Sequence, residues 1–239
     1  MYSKSQEYYD DIYASAGKDY RAEANIVHRL IRKYKKSSGD RLLDVGCGTG
    51  MHANLLGKHY QVEGLDLDKK MLAVARKNFP KLRFRRGDMM NFKLTHKVDV
   101  IVCLFSAIGY VKTQTRLIKT VKNMSQYLLP GGILLIEPWF TPNQWYPGLV
   151  FTARVEKKDL KLIRMSHSSR RGNLSILEFQ YLIGTPHGIE HDTEFLELGL
   201  FTKQEYLDAF HSTGLKTIHN SKGVDGRGLY IGLKPLDKK

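Results

Sequence analysis

The stretch Leu42-Leu43-Asp44-Val45-Gly46-Cys47-Gly48-Thr49-Gly50 decides the fold of this chain. Leu42, Leu43 and Val45 form a short apolar run of the kind that makes a buried parallel strand. Glycines at alternate positions, Gly46, Gly48 and Gly50, then let the backbone bend sharply and bring bare N–H groups close to a ligand. Twenty residues past Gly46, after a second apolar run (Val62-Glu63-Gly64-Leu65), stands Asp66. A carboxylate at that separation is where a two-strand nucleotide fold holds ribose hydroxyls.

The spacing argues against a dinucleotide. That fingerprint is G-x-G-x-x-G, whose third glycine closes a helix against a strand under a pyrophosphate. Here the pattern is G-x-G-x-G preceded by Asp44, an acid that repels a pyrophosphate and suits a cation. The combination D-x-G-x-G-x-G resembles motif I of the class I S-adenosylmethionine (SAM) methyltransferases. SAM carries no phosphate; it has a sulfonium, an amino group and a carboxylate. The resemblance implies SAM as cofactor, held by Asp44, Gly46, Cys47, Gly48, Gly50 and Asp66, with Leu67 next in line.

The remaining rhythm is strand, helix, strand. A helix over 22–36 carries Ile26, Val27, Leu30, Ile31 and Tyr34 on one face, and Ser37-Ser38-Gly39 ends it. Past the glycine turn, a helix over 51–59 leads to a strand over 61–65. Asp68 caps a helix over 69–78, which Pro80 stops. A strand over 82–86 ends at Gly87-Asp88-Met89, a position where open α/β sheets bind ligands. A strand over 98–103 and a helix over 114–128 follow, the helix closed by Pro130-Gly131-Gly132. The next strand, 133–136, ends at Glu137-Pro138-Trp139. Such alternation means a parallel sheet with crossover helices.

The rhythm then changes. Residues 140–200 show no helical period; strands over 151–155, 160–166, 174–183 and 193–200 read as an antiparallel layer inserted across the ligand end of the sheet. Thr202 caps a helix over 203–211 with Glu205 in its first turn, and strands over 215–219 and 229–233 close the fold. The first twenty residues hold Tyr2, Tyr8, Tyr9, Tyr13 and Tyr20. They read as a short helix pinned to the core by Tyr9 and Tyr13, or as a flap over the cofactor.

With 239 residues and 42% apolar content, 1–239 is one α/β domain carrying its insertion. No apolar run approaches the ~20 residues that span a bilayer, and the polar, acidic-aromatic start has no signal-peptide character. Cys47 and Cys103 do not form a metal or redox spacing pair, and free thiols point to the cytoplasm. Lys and Arg number 38 against 24 Asp and Glu, giving +14, which favours an anionic partner: nucleic acid or a phosphorylated small molecule. The charge falls in clumps (29–36, 83–86, Arg170-Arg171, 234–239) and no basic repeat or zinc finger accompanies it, which disfavours nucleic acid.

A closer likeness rests on Gly17-Lys18-Asp19-Tyr20, 43–50, Gly87-Asp88-Met89, Leu104-Phe105-Ser106-Ala107-Ile108-Gly109-Tyr110, Glu137-Pro138-Trp139, Ser166-His167-Ser168 and Gly226-Arg227-Gly228. Nearly end to end, these resemble the N,N-dimethyltransferases that act on nucleotide-linked 3-amino sugars, the desosamine and mycaminose type. The resemblance implies a Rossmann-like, mostly parallel seven-stranded sheet with an antiparallel β insertion after strand five, and a homodimer. It places Asp66 on the ribose, Asp88 and Met89 on the adenine, Leu104 on the ring's other face, Tyr20 at the cofactor, and Tyr13 against both cofactor and sugar. The family usually has alanine at Gly46 and glutamate at Asp66; aspartate is shorter by one methylene and still accepts two hydroxyls.

Methyl transfer from a sulfonium is an in-line displacement, so the protein mainly positions the nucleophile and excludes water. A sugar amine sheds its proton near neutral pH, and a hydroxyl or carboxylate need only aim the lone pair. Tyr13 and Tyr110 suit that role, with Glu137 and His167 behind them; each is equally readable as a packing residue. Trp139 is placed to stack on a sugar or to plug the top of the sheet. Arg227, between two glycines, offers a fork for a diphosphate. No metal is expected, because His187-Gly188-Ile189-Glu190-His191 lacks helical H-E-x-x-H spacing, and Ser106 lacks the G-x-S-x-G elbow. The competing readings are an RNA or protein methyltransferase using the +14 charge, a non-catalytic SAM-binding partner and, more remotely, a dehydrogenase.

Overall fold

The computed structural model describes residues 5–237. Tyr2 and Lys238-Lys239, part of the aromatic leader and of the last basic clump, lie outside them. The chain opens with a short helix, α1 (Tyr9–Ser15), and a long one, α2 (Tyr20–Tyr34). The second starts ahead of its apolar stripe because the Asp19 carboxylate accepts the Ala22 N–H at 2.9 Å. The alternation follows: β1 (Arg41–Val45), α3 (Met51–Leu56), β2 (Gln61–Asp66), α4 (Lys69–Asn78), β3 (Arg83–Arg86), β4 (Val98–Cys103), α5 (Gln114–Gln126) and β5 (Leu128–Ile136). Asp68 caps α4 as expected, accepting from the Lys70 and Met71 N–H groups at 2.8 and 3.3 Å.

Several of these boundaries shift by one or two residues from the sequence reading, and two differ by more. Helix α3 stops at Leu56, where Gly57 follows, rather than at residue 59. Strand β5 begins at Leu128, so Pro130-Gly131-Gly132 lies inside a strand instead of ending a helix. The run forms a bulge: pairing jumps from Val98–Leu128 to Val100–Ile133. Its backbone finds partners outside that ladder, since the Gly131 carbonyl accepts from Lys36 and Ser37 at 2.8 and 3.0 Å and its N–H donates to Lys234 at 3.0 Å.

Beyond β5 the chain forms β6 (Val150–Lys157), β7 (Leu160–Arg171), β8 (Leu174–Thr185) and β9 (Gly188–Gly199), then α6 (Lys203–His211), β10 (Lys216–Asn220) and β11 (Leu229–Leu233). Two sheets result: a seven-stranded one in the order β10-β11-β5-β4-β1-β2-β3, and a four-stranded antiparallel one, β6-β7-β8-β9. In the first, β11 runs antiparallel to β5, whereas β1 to β5 pair in parallel. The hairpin strands of the second sheet exceed their expected lengths because pairing continues to the turns, as at Thr185–Gly188.

One side of the large sheet packs Leu42, Val62, Val100 and Val102 against Val27, Ile31, Ala53 and Leu56 of α2 and α3. The other packs Leu43, Val45, Ile101 and Cys103 among Leu117, Val121, Tyr206 and Phe210 from α5 and α6. A third cluster joins Ile12 of α1 to Ala153, Val155, Leu162, Phe179, Tyr181, Ile183 and Leu196 of the small sheet. Ile12, 1% exposed, is thus the anchor of α1, while Tyr9 and Tyr13 are half-buried. Among the described residues no helix is long and apolar enough to cross a membrane.

Candidate active site

The glycine turn leaves the carboxyl end of β1, a strand central to the large sheet. Its N–H groups are not bare. Gly46 and Cys47 donate to the Leu65 carbonyl at 2.7 and 3.1 Å, and Gly48 donates to Asp66 Oδ2 at 2.8 Å. The turn is stitched to the end of β2, which makes it a poor anion cradle and corrects the expectation of free donors. Glycine is required at position 46, where φ is +74° and a Cβ would lie 2.6 Å from that of Ala107. At Gly48 a Cβ would meet nothing within 4 Å, so the turn faces open space there.

Asp66 Oδ1 accepts from the Asp68 N–H at 2.8 Å, so both carboxylate oxygens are anchored yet keep spare lone pairs. Asp44 is 2% exposed, and its Oδ2 has no hydrogen-bond partner. Burial, and then the charge of Asp66, push its carboxyl up to about 7. An orphaned buried carboxyl next to a second carboxylate is a site for a cationic group, and the ammonium or sulfonium of SAM meets that need. The surrounding residues fit the rest. Met89 packs toward Gly46, its carbonyl accepting from Asn123 Nδ2 at 3.2 Å, and Asp88 Oδ1 accepts from Met90 at 2.8 Å to fix the loop after β3. Leu104 is buried after β4, and Leu67, just past β2, is exposed. The Cys47 thiol packs toward Gly64 of β2, where a Cβ would lie 2.8 Å from its sulfur. Cys47 therefore contributes backbone to the turn, and burial raises both thiols, Cys47 and Cys103.

The N-terminal segment ties this end to the small sheet. Asp10 accepts from Thr49 Oγ1 at 2.7 Å and from the Tyr20 hydroxyl at 3.3 Å. Glu23 takes Lys18 at 2.7 Å and His52 at 2.8 Å. At the other end of the segment, Ser5 donates to Glu194 of β9 at 2.8 Å.

Beside the turn, Phe105 is the hub of an aromatic and cationic cluster. Its ring centroid lies 4.8 Å from that of Tyr13 and 6.4 Å from that of Tyr9. Lys18 Nζ stands 3.5 Å and the Arg227 guanidinium 5.9 Å from the same ring. Phe105 and Ser106 hold left-handed backbone, φ 49° and 59°, a strained state that neighbours must maintain. Glu137 does so: its Oε2 accepts the Phe105 N–H at 2.6 Å while Oε1 accepts from Arg227 at 2.9 Å. Burial pushes the Glu137 carboxyl up to about 7 even though Arg227 pulls the other way. Arg227 also pairs with Asp225, so its fork is largely occupied by carboxylates, and its Nε is buried without a partner.

Trp139 donates its indole N–H to Ser175 of β8 at 2.8 Å and packs with Phe140 and Trp145, joining the two sheets. His167 is not brought to Tyr13. Register places it opposite Val150 and Glu178, on the exposed face of the small sheet, whereas Ile12 packs on the other face. Tyr110 instead lines a groove with Lys112, Arg171, Phe195 and Glu197.

Residues 42–132 match the methyltransferase-domain family. Over 229 residues the chain is 38% identical to the dTDP-3-amino-3,6-dideoxy-alpha-D-glucopyranose N,N-dimethyltransferase of Streptomyces fradiae, covering 95% of this chain and 89% of that protein. The chain belongs to the nucleotide-linked amino-sugar N,N-dimethyltransferases. The crystal structure of Streptomyces venezuelae DesVI superposes with a TM-score of 0.91 at 35% identity, covering 98% of this chain and 100% of that one. SAM-bound CalS10, an amino pentose methyltransferase from Micromonospora echinaspora, gives 0.86 at 34% identity with 98% of each chain covered. This dimethyltransferase-family chain is accordingly a SAM-dependent N-methyltransferase with SAM as its cofactor.

Three participants in the dimethyltransferase site escape the sequence reading. Phe105 is quoted there only as part of a run, and its left-handed backbone has no sequence signal in a non-glycine residue. Asp10 looks like a solvated acid of the leader, yet it grips the glycine turn. Arg164, whose guanidinium carbon lies 5.0 Å from the Tyr13 ring centroid, sits mid-strand in β7, with nothing local to mark it.

Proposed function

We propose that this chain methylates the amino nitrogen of a nucleotide-linked amino sugar, with a thymidine-diphosphate sugar as the leading substrate. The observation that carries the reading is the set of cations, Lys18, Arg164 and Arg227, bordering the Tyr13–Phe105 pair. A sugar bearing a diphosphate supplies both the anion and the apolar ring faces that such a surface suits. When bound, SAM supplies a methyl group on a sulfonium open to in-line attack by an uncharged amine.

Asp66 accepts the ribose hydroxyls on the lone pairs that Gly48 and Asp68 leave unused. Asp44 faces the cationic part of the cofactor, and Asp88, Met89 and Leu104 frame the adenine. The segment from Ser5 to Tyr20 covers the cleft and excludes water. Tyr13 accepts a hydrogen bond from the amino N–H and leaves the nitrogen lone pair aimed outward; no strong base is required. Glu137 acts as a positioning residue through Phe105, and Arg227 keeps Glu137 in place. Trp139 braces the chamber wall. In this reading Tyr110 and His167 have no part in the chemistry. A second copy of the chain suits the outer face of the small sheet, where Val150, Ile163, Met165, Leu182 and Phe195 are exposed. Sedimentation velocity tests that pairing, and a monomer at every concentration rejects it.

Calorimetric titration with S-adenosylhomocysteine, with and without a dTDP-amino sugar, tests the function. Cofactor binding that tightens with the sugar, and a methylated sugar by mass spectrometry, is the expected result. Cofactor binding with salt-dependent retention of mixed RNA and no response to the sugar overturns the substrate and turns the +14 charge toward a polymer.

A further inference from the structure

The buried polar side chains beside the glycine turn form one chain. His52 stands in the first turn of α3, just past Gly50, and its Nε2 lies 2.8 Å from Oε2 of Glu23 in α2. Both Glu23 oxygens also accept from the Lys18 ammonium, at 2.8 and 2.7 Å. The side chains of Lys18 and Glu23 are 6% and 9% exposed, and that of His52 is 9% exposed. Burial raises the Glu23 carboxyl, but the hydrogen bonds from His52 and Lys18 outweigh it and hold the group below the ordinary carboxylate range. An ionised carboxylate only accepts, so His52 donates its Nε2–H. Burial lowers His52 and favours the neutral ring. The chain therefore carries one positive and one negative charge, each the other's partner.

Lys18 ties this chain to the acceptor side by two routes. Its backbone N–H donates to the Tyr13 carbonyl at 3.0 Å, just past the left-handed Gly17. Its Nζ lies 3.5 Å from the Phe105 ring centroid, and Tyr13 meets the same ring edge-on at 4.8 Å. An ammonium so close to an aromatic face is held by the ring quadrupole. Tyr20 packs edge-on against His52 at 5.1 Å. Cutting the chain leaves a buried charge unpaired: Glu23 without Lys18 faces only a neutral ring, and Lys18 without Glu23 has none of its anion. The segment thus has two favourable arrangements, docked with both charges paired or released to water.

Resting on the function proposed above, we propose that Lys18 is a positioning residue for the transfer and that the His52–Glu23–Lys18 chain couples the cofactor end of the site to its acceptor end. A cofactor on the glycine turn fixes the start of α3 and with it His52. The chain then holds Lys18, and Lys18 sets the Tyr13–Phe105 pair that the amino sugar meets. Such coupling is reciprocal, so the sugar tightens the cofactor by the same factor.

Calorimetric titration of the whole chain with S-adenosylhomocysteine (SAH), with no sugar and with saturating dTDP-amino sugar, reads that factor. The wild-type protein is expected to bind SAH about 5-fold or more tightly when the sugar is present. Lys18→Met keeps the aliphatic stem and loses the charge, and His52→Leu loses the donor. Each is expected to bring the factor below about 2, and the double variant to fall no further, since one chain is cut once. His52→Gln, whose amide retains a donor, is expected to recover most of the coupling, which a purely structural loss at α3 does not explain. Melting temperature reports folding; the two substitutions act at opposite ends of the chain, and either one, folded, suffices. An undiminished factor in folded Lys18→Met assigns the coupling to direct contact between the ligands and overturns the inference while the function stands. A wild-type protein that binds both ligands independently does the same. A wild-type protein that binds SAH and not the sugar overturns the nucleotide-sugar reading, and this inference with it.

Discussion

Asp44 is a buried acid without a cation of its own, and its titration is a direct readout of the cofactor end. Its folded-state pKa, about 7, lies above the ordinary carboxylate value. The stability it contributes is complete below about pH 4 and is lost as pH rises through the folded value. The ligand-free protein is expected to lose several degrees of melting temperature over that window, and Asp44→Asn to flatten the profile; an unchanged slope in the variant counts against the placement. Asp66→Ala removes the acceptor of two backbone N–H groups as well as the proposed ribose partner. It is expected to weaken SAH binding by about 10–100-fold in calorimetry, a loss on the scale of charge-assisted hydrogen bonds. Both acids are legible in the sequence, because their positions relative to a strand and a glycine turn are set by backbone geometry. Arg164 is not, since its meaning comes from Tyr13, more than a hundred residues away in sequence, and from Phe179 on the next strand. His167 is misleading for a related reason: strand parity, which depends on exact register, decides its face.

At the level of elements, α1 is short and held by a single deep side chain. Ile12→Ala is expected to cost about 2–4 kcal/mol of docking. Hydrogen exchange is the proper check: amides of α1 lose protection while those of β1 and β4 keep theirs, and uniform loss across the molecule refutes a local role. The alternation of apolar strands and amphipathic helices up to β5 is plain in the sequence because each element carries its own period. The bulge in β5 is hidden, because Pro130-Gly131-Gly132 looks like a terminator and its partners, Lys36, Ser37 and Lys234, come from distant segments. The first part of β9, Gly188-Ile189-Glu190-His191-Asp192, is largely exposed and lacks a buried stripe, so its strand character comes from pairing with β8 alone.

For the molecule as a whole, the charge of +14 acts, on the proposed function, as a field on an anionic substrate. Raising salt from about 50 to 500 mM is expected to increase KM for the nucleotide sugar several-fold while SAH affinity changes little. Equal salt sensitivity of the two ligands contradicts this selective attraction. The small sheet also has a historical side. All four strands of the small sheet come from one unbroken piece of chain between β5 and α6. A recombination event therefore needs only two breakpoints to exchange this whole sheet between relatives and leave the strands β1 to β5 intact. The seam it must respect is narrow: Ile12 below the small sheet and Trp139 against Ser175 have to match the incoming cassette.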